Sequence, residues 1–491
     1  MTVTLKDLPV DVGVVYEGER IRWKDTRIEY GGPKVEHKFE LCRVVGLKDI
    51  EDEKVIIKGP DISDTEPQTN HEIGILIEMA GEKLEKDLEA VFERRIHEFT
   101  NFISGAMHLN QRYDIHIRFS KKTGDKGFSL KDWGNAFIAL YKSTFPIIEK
   151  IQITFLTDPK ALEEWYQQAI DSYEQRDARA RAMTDEEVDA FYGCVLCQSF
   201  APTHVCVITP NRISSCGSIN WFDARAAAKV DPEGPNFEIQ KGEQLNDETG
   251  EYSGVNERVK ERSLGEVTQV EIYSMFDNPH TSCGCFEAVA FYIPEVEGIG
   301  VVHRDFKGET VNGLPFSTMA TQTGGGQQVP GFNGIAIEFL RSPKFLAPEG
   351  GITRLVWMPK SVKDRVPDAF PDGLAEKVAT EENVTDIESL KAFLMEKDHP
   401  VVQRWKKAPP TEVPEVVPVE GVPSAAPAPT ATVTAPTSMT TMPAGTIAAP
   451  TITLPITLPS GAIGGGSDLK LVLNNVRINI KNVYIKKKDE A

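Results

Sequence analysis

Six of the seven cysteines in this 491-residue chain fall into two groups whose spacing suits metal chemistry. Cys194, Cys197, Cys206 and Cys216 lie within FYGCVLCQSFAPTHVCVITPNRISSCGSINWFD, and Cys283-Gly284-Cys285 lies within NPHTSCGCFEAVAFY. Four thiolates from one short stretch hold an iron–sulfur cube or a zinc ion. Spacing alone leaves both open, although the gaps after Cys197 and Cys206 suit no usual zinc ribbon. A Cys-Gly-Cys triplet has a different use. Its two sulfurs and the intervening backbone nitrogens approach one plane, as square-planar nickel(II) or copper(II) requires. Alone, such a triplet is a weak signal. Disulfides fit the chain poorly, because no apolar leader opens it, Cys42 is left over, and seven cysteines are too few for a disulfide scaffold. Together the two groups point to a reduced, intracellular redox metalloenzyme.

The words around these cysteines narrow the reading. FYGCVLCQSFAPTHVC, CGSINWFDARAA, DPEGPN and PHTSCGCFE closely resemble the acetyl-CoA synthase family, nearest to the beta subunit of the archaeal acetyl-CoA decarbonylase/synthase complex. YEGERIR, ELCRV, EDEKVIIKGPD, ERRIHEF and HLNQRYD support the match less specifically, and residues from about 15 to about 360 are covered. Bacterial members carry a further N-terminal domain that docks on CO dehydrogenase, and the chain begins where that domain would end. The resemblance implies a nickel–iron–sulfur A-cluster. Cys194, Cys197, Cys206 and Cys216 would ligate a 4Fe-4S cube, and Cys197 would also bridge to a proximal nickel ion. Cys283 and Cys285 would join that ion to a distal nickel completed by the backbone nitrogens of Gly284 and Cys285. Glycine at 284 is expected to spare the metal plane a crowding Cβ. Phe200 matches a family phenylalanine that shields the proximal position; an ordinary core aromatic is the alternative. The implied reaction makes or cleaves acetyl-CoA from CO, a methyl group carried by a corrinoid protein, and coenzyme A. The implied partners are a CO dehydrogenase component and a corrinoid iron–sulfur protein, with ferredoxin a further candidate. Two rival classes are an iron–sulfur electron-transfer subunit and a zinc-stabilised scaffold subunit.

The elements that must position these residues read as α/β to α+β, in two mixed-sheet domains with helices packed on them. Residues 1–170 form the first, with strands at 75–81, 115–120 and 151–158. Between the first two lies an amphipathic helix with Leu84, Leu88, Val91, Phe99 and Ile103 on one stripe, and another helix covers Trp133 to Tyr141. Arg94, Arg95, Arg112 and Arg118 there can meet an anionic ligand, and the family associates this domain with coenzyme A; ion pairs are the commoner fate of such arginines. Arg176, Arg179 and Arg181 follow in a charged connector. Thr184 with Glu187 reads as a capping box opening a short helix that delivers Cys194. Residues 171–405 form the metal domain, with Cys283 to Cys285 in a loop between strands VEIYS and AVAFYIP. TGGG at 323–326 lacks the lysine of a phosphate loop and reads as a tight turn. His280 and His303 read as plain hydrogen-bonded histidines. Residues 406–466, rich in Pro, Ala and Thr, read as a disordered linker, and residues 467–491 as a short β docking segment. A net charge of −19 argues against nucleic acid, and no apolar run is long enough for a membrane span, which suits a cytoplasmic protein.

Overall fold

The run IGILIEMA forms the strand Ile73–Ala80, which is buried on both faces except at Glu78. Its alternation splits it between two cores. Ile73, Ile75, Ile77 and Met79 pack with Phe92, Trp133, Phe137 and Tyr141, while Leu76 packs with Phe39, Leu41, Leu156, Leu162 and Tyr173. The strand is therefore the centre of a helix–sheet–helix sandwich. Helices Glu89–Asn101 and Leu130–Thr144 cover one face, and helix Pro159–Arg181 covers the other. The sheet order is Lys38–Val44, Ile73–Ala80, Lys150–Leu156, Lys54–Lys58, with the two central strands antiparallel and both outer pairings parallel. A second four-stranded sheet runs Thr69–His71, Thr26–Gly31, His116–Ser120, Ala106–Leu109. This is a computed structural model, and it describes residues 4–14 and 20–405. The expected linker 406–466 and docking segment 467–491 lie outside the described residues.

The rest of the described chain is built on two larger sheets and a small hairpin, Gln244–Asn246 with Glu251–Tyr252. One is antiparallel, in the order Cys206–Ile208, Ala190–Cys194, Asn236–Gln240. The other runs Phe332–Ile335, Ala288–Ile293, Gly298–His303, Leu355–Trp357. A single core that includes Phe191, Val207, Ile239, Ala290, Val301 and Leu355 spans both. The mixed α/β class expected from the sequence is what the chain adopts. The division expected at 170/171 falls inside helix Pro159–Arg181, whose first turns pack on the Ile73–Ala80 sheet and whose Arg181 reaches Glu338.

Two local expectations are corrected. The capping box at Thr184 is present, with the Thr184 amide donating to Glu187 at 2.7 Å, but it caps only the 3-10 turn Asp185–Glu187. The strand Ala190–Cys194, not a helix, delivers Cys194. VEIYS is no strand either: it makes one isolated bridge, Glu271 with Pro279. The Glu271, Ile272 and Tyr273 amides go to the carbonyls of Asn278, Gly250 and Thr249 in loops rather than to a neighbouring strand, and the Ser274 hydroxyl goes to the Glu349 carboxylate.

Helix Glu89–Asn101 departs most from expectation. Its apolar stripe packs as read, but its polar side is buried too, including Glu93, Arg94, Arg95, His97 and Glu98. An amphipathic pattern normally marks one solvated face. Here the polar face turns inward, toward the cysteines.

Candidate metal centre

Strand pairing sets the first cysteine group. Cys194 ends one strand and Cys206 opens its antiparallel neighbour, directly opposite. The chain between them is a string of turns, with Phe200 and Ala201 amides both donating to the Cys197 carbonyl, at 3.1 and 3.0 Å. Cys216 sits in the turn closed by Gly217 N–H to the Ser214 carbonyl, and the Ser214 hydroxyl lies 3.4 Å from its sulfur.

The second group is bolted to the first by buried polar contacts. Val207 N–H donates to His280 Nε2 at 2.8 Å, so His280 Nδ1 carries the proton and donates to the Thr281 carbonyl. His204 Nδ1 is 2.9 Å from the Thr281 hydroxyl. Burial pushes His280 well below the ordinary histidine range and His204 to about 4, which keeps both rings neutral and able to serve as these clasps. The glycine turn at 323–326 runs against the same loop: Gly325 N–H donates to the Cys283 carbonyl and Gly326 N–H to the Ser282 carbonyl. Arg304 clamps the Gly284 and Phe286 carbonyls on either side of Cys285. His303 lies farther round, 3.6 Å from Asp114.

The result is a tight thiol trio. The sulfurs of Cys197, Cys283 and Cys285 all lie within 4.8 Å of one another, and the Cys285 amide is 3.1 Å from Cys283 Sγ. Cys197 and Cys283 are buried, and Cys285 is partly exposed. Hydrogen bonds with the Cys197 and Cys283 sulfurs, with Arg94 and Arg304 nearby, draw the Cys285 thiol well below its ordinary range. The same sulfur contacts push Cys283 well above it. The charge of Cys197 acts on Cys194, Cys206 and Cys216, but these three stand outside the set of sulfurs that lie within 4.8 Å of one another. Burial raises all three thiols, Cys206 to about 12. Soft sulfur donors packed together with no carboxylate in the trio fit a metal–sulfur group, and loading it must expel protons from the raised thiols. Cys42 stays apart, buried under Glu93 and Arg176.

Gly284 has a φ of +125°, a backbone conformation that by itself favours glycine, and a Cβ built there meets no protein atom within 4 Å. Phe200 is 40% exposed, so it is not a core aromatic; its ring lies 6.5 Å from that of His97.

The basic residues separate cleanly. Arg95 pairs with Glu98, Arg112 with Asp177 and Arg118 with Glu29. Arg176 takes Glu89 and Glu93, Arg179 takes Asp87, and Arg181 takes Glu174 and Glu338. Arg94 alone of the four first-domain arginines reaches the thiols, with Nη2 3.4 Å from Cys197 Sγ. Sequence reasoning passed over Arg304 and His204, which carry no motif; only their place in the fold shows their contacts.

Comparison with known proteins meets this geometry. Residues 173–405 match the family model for the C-terminal part of the ACS/CODH beta subunit, and residues 8–162 match the model for the CO dehydrogenase/acetyl-CoA synthase complex beta subunit. A protein named acetyl-CoA decarbonylase/synthase complex subunit beta 2, from Methanosarcina thermophila, is 52% identical over 82% of this chain and 85% of its own. The chain belongs to the acetyl-CoA decarbonylase/synthase beta-subunit family. The beta subunit of Methanothermobacter thermautotrophicus is 47% identical over 98% of this chain and 100% of its own. A solved structure of the C-terminal domain of an acetyl-Coenzyme A synthase alpha subunit is 40% identical over 25% of this chain and 96% of its own, with a TM-score of 0.23.

Proposed function

We propose that the six clustered cysteines hold a nickel–iron–sulfur A-cluster. The family activity, making or cleaving acetyl-CoA, is an acyl transfer, and the chain works as a subunit of a CO dehydrogenase/acetyl-CoA synthase complex. The finer reading assigns Cys194, Cys197, Cys206 and Cys216 to a 4Fe-4S cube. Cys197, Cys283 and Cys285 take the proximal nickel. Cys283 and Cys285, with the Gly284 and Cys285 nitrogens, take the distal one. The observation that carries this reading is Cys197, which belongs at once to the tight trio and to the four-cysteine group.

When bound, the cluster supplies the metal chemistry that joins CO to a methyl group and passes the acetyl group to coenzyme A. The chain's own residues do the rest. The paired strands fix Cys194 against Cys206, and Arg304 and the glycine turn fix the Cys283–Cys285 loop, so the donors are preorganised. Burial of Cys197 and Cys283 keeps water from the sulfurs. Phe200, exposed and three residues beyond Cys197, is the proposed shield of the open approach.

Residues 1–170 are the proposed side of coenzyme A contact. A cavity of about 510 Å³ is lined by residues of both proposed domains, with Lys38, Arg112 and Arg365 set among the carboxylates of Glu36, Asp114, Glu174, Asp177, Glu287 and Glu338. Residues 171–405 form the proposed metal domain, 406–466 a linker and 467–491 a docking segment. A corrinoid iron–sulfur protein as methyl donor, and ferredoxin, are the proposed partners beyond the complex. None of the described helices is long and apolar enough to cross a membrane.

The test is acetyl exchange. Metal-loaded chain alone should exchange the acetyl group between acetyl-CoA and a coenzyme A analogue, and Cys285→Ser should abolish it. Full exchange in Cys285→Ser would contradict the assignment.

A further inference from the structure

Some of the buried arginines of this protein face carboxylates, while Arg354 is held by the Glu297 and Glu349 carbonyls. Arg112 binds Asp177, Arg95 binds Glu98 and Arg176 binds Glu89 and Glu93. A buried cation without a counter-ion is strongly unfavourable, so pairing with a carboxylate is the expected pattern. Arg94, Arg212 and Arg304 depart from it. Arg94 is 2% exposed and Arg212 1% exposed, and neither these two nor Arg304 forms an ion pair with any acidic group among the described residues. Arg94 Nη1 has no hydrogen-bond partner at all, and Nη2 is directed at Cys197 Sγ. Arg212 spends its nitrogens on the Ile272 carbonyl and the Asn333 amide oxygen, and its Nε is unpartnered. Arg304 is held by two carbonyls.

Arg94 and Arg304 meet the cysteine groups directly, at the Cys197 sulfur and the Gly284 carbonyl, whereas Arg212 has no hydrogen-bond contact with a thiol among the described residues. The charges that act favourably on Arg94 are those of Cys197, Cys285 and Cys216. The one that acts on Arg212 is Cys206. Those that act most on Arg304 are Cys285 and Cys283. The two guanidinium groups that meet the cysteines come from separate parts of the chain: helix Glu89–Asn101 and the residue after strand Gly298–His303. No local sequence constraint makes them converge.

We infer that Arg94 and Arg304 are counter-ions of the cluster, a cationic pair that holds the metal–thiolate group toward its reduced, more anionic state. This rests on the metal reading above. Ligating thiolates are deprotonated, so such a group carries net negative charge, and one-electron reduction adds to it. Net charge and hydrogen bonds to the sulfurs are among the levers that set an iron–sulfur potential. Arg94 supplies both at once, because its donor points at the one sulfur shared between the two cysteine groups. The two arginines thus act on the metal through their charge, as positioning groups, and Arg94 is the stronger by geometry.

The experiment is a redox titration of the anaerobically reconstituted full-length chain, following the cluster's paramagnetic signal, for wild type, Arg94→Gln and Arg94→Lys. Loss of the charge in Arg94→Gln should shift the midpoint to a more negative potential with iron content unchanged, and Arg94→Lys should return it to near wild type. A wild-type midpoint in Arg94→Gln overturns the inference. If Arg94→Gln takes up no iron, Arg94→Lys decides: normal loading supports a charge role, and equal failure refutes it in favour of a packing role. Absence of any iron–sulfur signal in wild type would instead sink the cofactor reading, so the two failures are distinct.

Discussion

At the scale of single residues, Cys197 carries the most weight. It is the one cysteine that lies in the tight trio and also acts on Cys194, Cys206 and Cys216. Cys197→Ser should therefore lower iron and nickel together, since an oxygen ligand is harder and suits neither metal site. Metal analysis of the purified variant checks this. Full nickel retention would show that Cys197 is not shared. The ligand cysteines were legible in the sequence because their spacing is local and their chemistry is restricted to few uses. Arg94 was visible only as one of four arginines with equal claims. What separates it from Arg95, its neighbour in sequence, is that the two point to different sides of a helix buried all round. A sequence gives the periodicity of such a helix, but not which neighbour each face meets.

At the scale of elements, the strands came through the sequence better than the connections. IGILIEMA is a nearly continuous apolar run, HIRFS and the start of KIQITFL alternate polar and apolar residues, and all three form strands. VEIYS forms no strand, because its Glu271, Ile272 and Tyr273 amides bond the loop carbonyls of Asn278, Gly250 and Thr249. The helix Trp221–Val230, just after the cysteine segment, gives a testable electrostatic case. Asn220 and Asp223 cap it reciprocally: the Asn220 amide donates to Asp223 at 2.8 Å and the Asp223 amide donates back at 3.1 Å. Burial raises the Asp223 carboxyl to about 7, against the hydrogen bond from Asn220 and the nearby Arg176 and Arg112. The folded state thus binds this proton more tightly than the unfolded chain, whose carboxyl titrates near 4. Asp223 stabilises the fold fully below about pH 4, and that contribution is lost as pH rises through about 7. Asp223→Asn keeps the cap acceptor and removes the titration. Chemical denaturation of the metal-free variant should show a shallower decline in stability between about pH 4 and 7 than wild type. An unchanged slope would mean that Asp223 is ionised throughout.

At the scale of the whole molecule, the six clustered cysteines and the match to the C-terminal family model all lie before residue 406. The following Pro-, Ala- and Thr-rich stretch has the composition of a tether, and Lys486, Lys487 and Lys488 near its far end are basic on an acidic chain. Truncation after Trp405 should leave metal loading and acetyl exchange by the isolated chain within about twofold of wild type. It should weaken co-purification with CO dehydrogenase and corrinoid components. Lost exchange with retained co-purification would reverse the roles of the two regions. The central claim, that two loops of one chain assemble a mixed-metal sulfur cluster, meets its most direct test in the metal content of protein purified and reconstituted without oxygen. Wild type should hold iron and nickel together. Replacing Cys283 and Cys285 by serine should remove nickel and leave most of the iron, whereas Cys194→Ser should lower the iron. Zinc alone in the wild-type protein, or iron without nickel, would contradict the claim.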